Sequence, residues 1–196
     1  MKRIFALLAA AALLFSACAA RREADSRVVE LQSRYAGAEG CSAQVEAVAV
    51  RETETLRYTL DVEKKAEETD VRVLAPEELA GVGATVRDDG ALRLTFDGVV
   101  LDAGSAMPGV SALSAANIFL HAVAHGYVTE QSTERFEETG DALRLCFETE
   151  LDGEKLLVTA WFDEAGQPLY AEIERGGEIL VYLEFTNFAF DDILTS

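Results

Sequence analysis

The sequence is short of positive charge. Seventeen Lys and Arg stand against 35 Asp and Glu, a formal net charge of −18. A domain of that sign repels phosphate backbones, which excludes nucleic acid as a partner and points any charged partner surface toward basic residues. Beyond its first fifteen residues the chain lacks any apolar segment long enough to cross a bilayer, and it lacks internal repeats and low-complexity tracts. The length fits one domain with a sizeable core.

Catalytic signatures are also missing. His121 and His125 stand four apart on one helix face, which is half of a zinc site. Residue 122 is alanine where a zincin needs glutamate, and no third ligand follows. The acidic pairs Glu137-Glu138, Glu148 with Glu150, and Glu172 with Glu174 have the composition of glycosidase carboxylates, yet so acidic a chain produces such pairs by chance. Ser105, within Ala103-Gly104-Ser105-Ala106-Met107, lacks the flanking residues of a nucleophile elbow. Gly81-Val82-Gly83 starts like a dinucleotide loop, but Val86 occupies the place of the third glycine. The expectation is a non-enzymatic binding protein with no catalytic residue, no metal and no cofactor.

What is present begins at the N-terminus. Lys2 and Arg3 form a basic region, Ile4 to Phe15 an apolar run, and Leu14-Phe15-Ser16-Ala17-Cys18 a lipobox with Phe15 where leucine is more usual. The run is too short to span a bilayer comfortably. Residues 1–17 are therefore expected to be a lipoprotein signal peptide, and Cys18 the lipidated residue of an extracytoplasmic protein anchored to the outer face of the cell membrane. Arg21 and Arg22 follow the anchor and assist it on an anionic surface by about 1 kcal/mol each. Residues 18–25 form a tether reaching about 25 Å at roughly 3.5 Å per residue, and residues 26–196 form the single domain. Lipidation of Cys18 leaves Cys41 and Cys146, an even pair for a disulfide or two separate buried thiols; the sequence leaves both open.

Periodicity outlines the domain. Asp25 to Tyr35 reads as a short helix with Val28, Val29 and Leu31 apolar, ended by Gly37 and Gly40. From Cys41 the period changes to two: Leu56 to Glu63, then Val71 to Val73, which Pro76 stops. Asp88-Asp89-Gly90 marks a hairpin turn before Leu92 to Phe96, and Val99 to Leu101 is another short strand. Ser111 to Gly126 carries Leu113, Ala116, Phe119, Leu120 and Val123 at helical spacing. Strands follow at Leu143 to Phe147, Leu156 to Phe162, Leu169 to Glu174 and Ile179 to Phe185. Two of these are apolar on both alternation faces, as a sheet must be when it is covered on both sides or lines a cavity. A curved sheet wrapped around a helix meets that condition. Phe119, Leu120, Trp161, Phe162, Tyr182 and Phe185 are then the candidates to line a hydrophobic concavity, with Ala103 to Pro108 as a small, flexible cover at its mouth.

The layout resembles the LolA-like superfamily of lipoprotein carriers and receptors, together with Gram-positive germination lipoproteins of the GerS kind. The residues that carry the resemblance are the signal and lipobox, Pro76-Glu77-Glu78-Leu79-Ala80-Gly81-Val82, Leu94 to Gly98, the central helix, Pro168-x-x-Ala171-Glu172-Ile173 and Phe185-x-Asn187-Phe188. It spans residues 26 to 190. The resemblance implies an α+β fold: an open, strongly curved antiparallel β half-barrel with an N-terminal and a central helix on its concave face. It also implies a lipid, acyl chain or other hydrophobic ligand in that concavity. The alternative is an accessory domain that binds and regulates a cell-wall hydrolase or another envelope protein. The two differ in what they require: a ligand binder needs an apolar pocket of roughly 300 Å³ or more, a partner module a filled barrel with an exposed patch or open edge. An open edge also allows a homodimer, which the sequence does not demand.

Overall fold

The structure is a computed structural model and describes residues 26–51, 54–87, 91–104, 110–136, 140–151 and 153–191. The signal peptide, Cys18, the tether, the turn at residues 88–90, Glu137-Glu138 and Ser105 to Pro108 of the expected cover lie outside them. The described chain starts with helix α1 over residues 26–37. Six strands follow: β1 (Gly40–Arg51), β2 (Glu54–Lys65), β3 (Glu68–Ala75), β4 (Gly83–Arg87), β5 (Leu92–Phe96) and β6 (Val99–Gly104). Helix α2 (Ala112–His125) then crosses back, and β7 (Tyr127–Phe136), β8 (Gly140–Leu151), β9 (Glu154–Phe162), β10 (Pro168–Arg175) and β11 (Glu178–Phe190) complete the chain.

Each half is a meander, because short turns join antiparallel neighbours. The halves meet where β11 pairs with β1, giving one sheet in the order β6-β5-β4-β3-β2-β1-β11-β10-β9-β8-β7. Strands β6 and β7 do not pair with each other, so the sheet stays open. Its curvature follows from α2. Strands β4 and β8 lie seven places apart in that order, about 34 Å in a flat sheet at roughly 4.8 Å per strand. A helix about 10–12 Å across touches both. The sheet must therefore wrap around it, and the result is an open α+β half-barrel with both helices inside the curve.

Small side chains allow the close approach. Ala115, Ala116 and Ala122 of α2 are fully buried, as are Ala47, Ala160 and Ala171 on the sheet. Ser111 caps α2: its hydroxyl accepts from the Ser114 N–H at 3.2 Å, and its own N–H donates to Ser114 Oγ at 2.9 Å. At the other end Gly126 has no room for a side chain, since a Cβ there would stand 2.4 Å from the Ala122 carbonyl oxygen. Helix α1 is held by a stripe of Val28, Leu31 and Tyr35, all buried, while Val29 points outward and is 62% exposed. The α1 side chain Gln32 donates to the carbonyls of Val123 (3.3 Å) and Gly126 (2.9 Å), satisfying groups that the end of α2 leaves open.

Two strands were not visible as such in the sequence. Strand β7 is exposed along nearly its whole length and carries no apolar alternation, because it is an edge strand held by β8 alone. Strand β4 contains Gly83 and Val86, the two residues that suggested and then broke a dinucleotide fingerprint; here Val86 faces the core.

Candidate functional site

Within the curve, aromatic side chains from four elements converge. Phe119 of α2 packs against Phe185 of β11 at 4.6 Å between ring centroids and against Phe162 of β9 at 6.3 Å. Tyr35 of α1 closes this group, lying 6.5 Å from Phe119, 6.0 Å from Phe162, 5.9 Å from Phe188 and 5.0 Å from Phe190. Its hydroxyl donates to the Gly166 carbonyl at 3.2 Å, and burial raises its pKa well above the ordinary phenol value. Arg34 lays its guanidinium 4.2 Å above the Phe190 ring and donates to the Ala165 carbonyl at 2.7 Å. Tyr35 was not among the sequence candidates, since a tyrosine at the end of a short polar helix carries no signal of its own.

Two clefts flank α1. One, of about 140 Å³, is lined by Tyr35, Cys41, Lys64, Leu120, His121, His125 and Phe190 among others. The second, of about 150 Å³, lies between Arg27, Leu31 and Arg34 of α1, Leu143 of β8 and the Asp163 to Gly166 turn. Each is smaller than the roughly 300 Å³ that a drug-sized ligand requires. Protein side chains fill the space between them.

The six sequence candidates divide into two sets. Phe119, Leu120, Phe162 and Phe185 all lie in the concave core, with exposures of 0, 8, 0 and 8%. Trp161 and Tyr182 do not. Strand alternation turns them to the convex face, where Trp161 packs on Tyr170 (5.4 Å) and Tyr170 on Tyr182 (6.1 Å). Their apolar signal came from this outer stripe, so the strands that read as apolar on both faces are covered inside by helices and bear aromatics outside.

The cysteines separate in the same way. Both are free and buried. Cys41 joins the concave core on β1, whereas Cys146 sits between Leu145 and Phe147 with its side chain on the opposite face, where Thr159 donates to its sulfur at 3.7 Å. Three strands lie between β1 and β8. That separation, about 19 Å at roughly 4.8 Å per strand, far exceeds the Cα spacing a disulfide can bridge.

The rings of His121 and His125 lie 5.2 Å apart at the rim of the first cleft, and among the described residues no cluster of three metal-ligating side chains forms. Glu148 is occupied by Lys155 at 2.8 Å, and Glu172 and Glu174 sit on the convex face. No helix of the described residues is long and apolar enough to cross a membrane.

An open antiparallel half-barrel that encloses two helices has counterparts among solved structures. A domain described as an outer membrane lipoprotein-sorting protein, from Vibrio parahaemolyticus, superposes with a TM-score of 0.52 at 12% identity, covering 86% of this chain and 92% of that one. Lipoprotein LppX of Mycobacterium tuberculosis is similar at a TM-score of 0.45 and 14% identity over 83% and 93%. A LolA superfamily protein from Nitrosomonas europaea gives 0.43 and 13% over 87% and 94%. No protein-family model and no curated protein matches the sequence. The fold is an open half-barrel like that of the lipoprotein-sorting domain from Vibrio parahaemolyticus.

Proposed function

We propose that this chain is an extracytoplasmic, membrane-anchored, non-enzymatic lipoprotein whose half-barrel holds an acyl chain or similar apolar ligand. The observation that carries the reading is the placement of α1. It lies over the aromatic group of Phe119, Phe162 and Phe185 as a single-stripe cover, with a cleft along each side. Displacing Tyr35 and its helix would join the clefts over the apolar floor of Phe119, Phe162 and Phe185, and the helix is short and held mainly by three apolar side chains and four side-chain hydrogen bonds to backbone. The same fold occurs in a domain described as a lipoprotein-sorting protein, and Cys18 in its lipobox supplies the anchor.

A fluorescent fatty acid, dansyl-undecanoate, tests this. Saturable enhancement that palmitate competes away is the expected result. Unchanged emission at micromolar protein contradicts the reading.

The filled interior favours a second reading, in which the domain docks on an envelope protein such as a cell-wall hydrolase and the half-barrel serves as a rigid frame. The two differ in the titration just described, which the second reading expects to fail.

A further inference from the structure

The convex face of β9, β10 and β11 carries a second aromatic group, outside the concave core. Trp161, Tyr170 and Tyr182 run as a ladder across three strands, with the planes of the two tyrosines 27° apart. Carboxylates border the ladder. Glu184 stands opposite Tyr170 in the register and Glu172 opposite Tyr182. Glu184 also stands opposite Glu46 of β1, a like-charge cross-strand pair, which is unfavourable in a sheet. The ion pairs of this face engage Glu46 with Arg57, and Glu130 and Glu134 with Arg144. Glu172, Glu174 and Glu184 have no salt bridge among the described residues. The consequence shows in Glu172, whose carboxyl is held above its ordinary pKa first by desolvation and then by Glu174 and Glu134, with Arg144 opposing.

One guanidinium already displays how a cation fits here. Arg144 lies 5.8 Å from the centre of the Trp161 ring while reaching Glu130 at 3.2 Å and Glu134 at 3.5 Å. Trp161 completes the set by donating its indole N–H to Glu134 at 2.8 Å. The neighbouring steps of the ladder repeat the chemistry, an aromatic face beside a carboxylate, with the guanidinium absent. Arginine suits such steps because its planar cation both stacks on a ring and forks to a carboxylate.

We propose that this face is a docking surface for an arginine-bearing basic segment of a partner protein, whose guanidinium groups stack on Tyr170 and Tyr182 and pair with Glu172 and Glu184. The surface is independent of what the concave side holds. It adds to the general acidity of the chain a local site with a defined reader. Aromatic and arginine groups are the residues that most often dominate interface energy.

Trp161 is the chain's only tryptophan, so its emission reports on this face alone. The intact chain is titrated with nona-arginine at about 150 mM salt, where surface charges beyond roughly 8 Å are screened. A saturable change in emission is expected. Affinity should fall about tenfold in Glu172→Gln/Glu184→Gln and in Tyr182→Ala, and stay constant in Glu77→Gln/Glu78→Gln, which removes the same charge from an exposed turn elsewhere. Nona-lysine, which pairs but does not fork or stack as well, should bind several-fold more weakly. Equal affinity across all variants, equal binding of nona-lysine, or an absent response would overturn the proposal. So would a response to neutral oligosaccharides with nona-arginine inert, which would make the ladder a glycan platform.

Discussion

The hydroxyl of Thr69 donates to Oδ1 of Asn117 at 2.7 Å, and this is the buried polar pair that pins helix α2 to the early half of the sheet. Both residues are almost fully removed from water, and the Asn117 amide oxygen gives the buried hydroxyl its acceptor. Replacing Asn117 alone by leucine strands a buried hydroxyl and should cost about 1–3 kcal/mol. Replacing both, as Thr69→Val with Asn117→Leu, removes the stranded group and should recover much of that loss. Guanidine denaturation of the two variants checks the order. A double variant less stable than the single one by more than its cavity terms would contradict the pairing.

Phe119 and Trp161 stand on opposite sides of the sheet system, and a substitution at each should separate their roles. Phe119 is fully buried among Tyr35, Phe162 and Phe185. Phe119→Ala should cost about 3–5 kcal/mol through lost burial and a residual cavity. Trp161→Phe keeps a ring on the outer ladder and gives up mainly the bond to Glu134, about 1 kcal/mol. Denaturation midpoints of the two variants decide it. A loss in Trp161→Phe as large as that in Phe119→Ala would contradict its place on the outer ladder.

Much of this architecture was legible in the sequence, and the parts that were not have definite causes. Helix α2 was plain because Phe119, Leu120 and Val123 recur at its period and Ser111 and Gly126 punctuate it. Strand β2 was equally plain, since one face is core and the other solvent. Edge strand β7 was invisible because an exposed strand held from one side needs no hydrophobic pattern. The site was half legible. Phe162 and Trp161 are adjacent, so a one-residue step sends one into the curve and the other outside it. Composition cannot tell those faces apart when both are apolar. Tyr35 escaped notice because its partners Phe119, Phe162, Phe188 and Phe190 come from three remote elements.

The pH dependence of stability should carry the mark of Glu172. Its folded pKa is raised by desolvation, then by Glu174 and Glu134, with Arg144 acting the other way. The folded state thus holds this proton more tightly than the unfolded chain. Its contribution to stability falls as pH rises through the carboxylate range and returns as pH drops. Glu172→Gln should flatten that part of the profile and leave the protein at least as stable at neutral pH. Thermal melts between about pH 4 and 7, spanning the ordinary glutamate value, measure it. A variant profile parallel to the parent's would contradict the shift.

The two thiols should be silent in the folded protein. Burial, and then the nearby Asp191 carboxylate, push the Cys41 thiol up to about 11, so almost no thiolate exists at neutral pH. Cys146 is buried on the other face. Ellman's reagent should therefore react with neither thiol in folded residues 19–196 and with both after unfolding without reductant. Failure to release two thiols on unfolding would show that they had been bridged.

The central claim is that the half-barrel holds an apolar ligand beneath α1, and native mass spectrometry of residues 19–196, purified without detergent from a bacterial host, tests it most directly. The account predicts a bound mass in the lipid range that is lost on denaturation and reduced in Phe119→Trp, which fills the space the ligand would take. A bare polypeptide mass, with added palmitate also leaving no adduct, would contradict it and leave the half-barrel a solid frame.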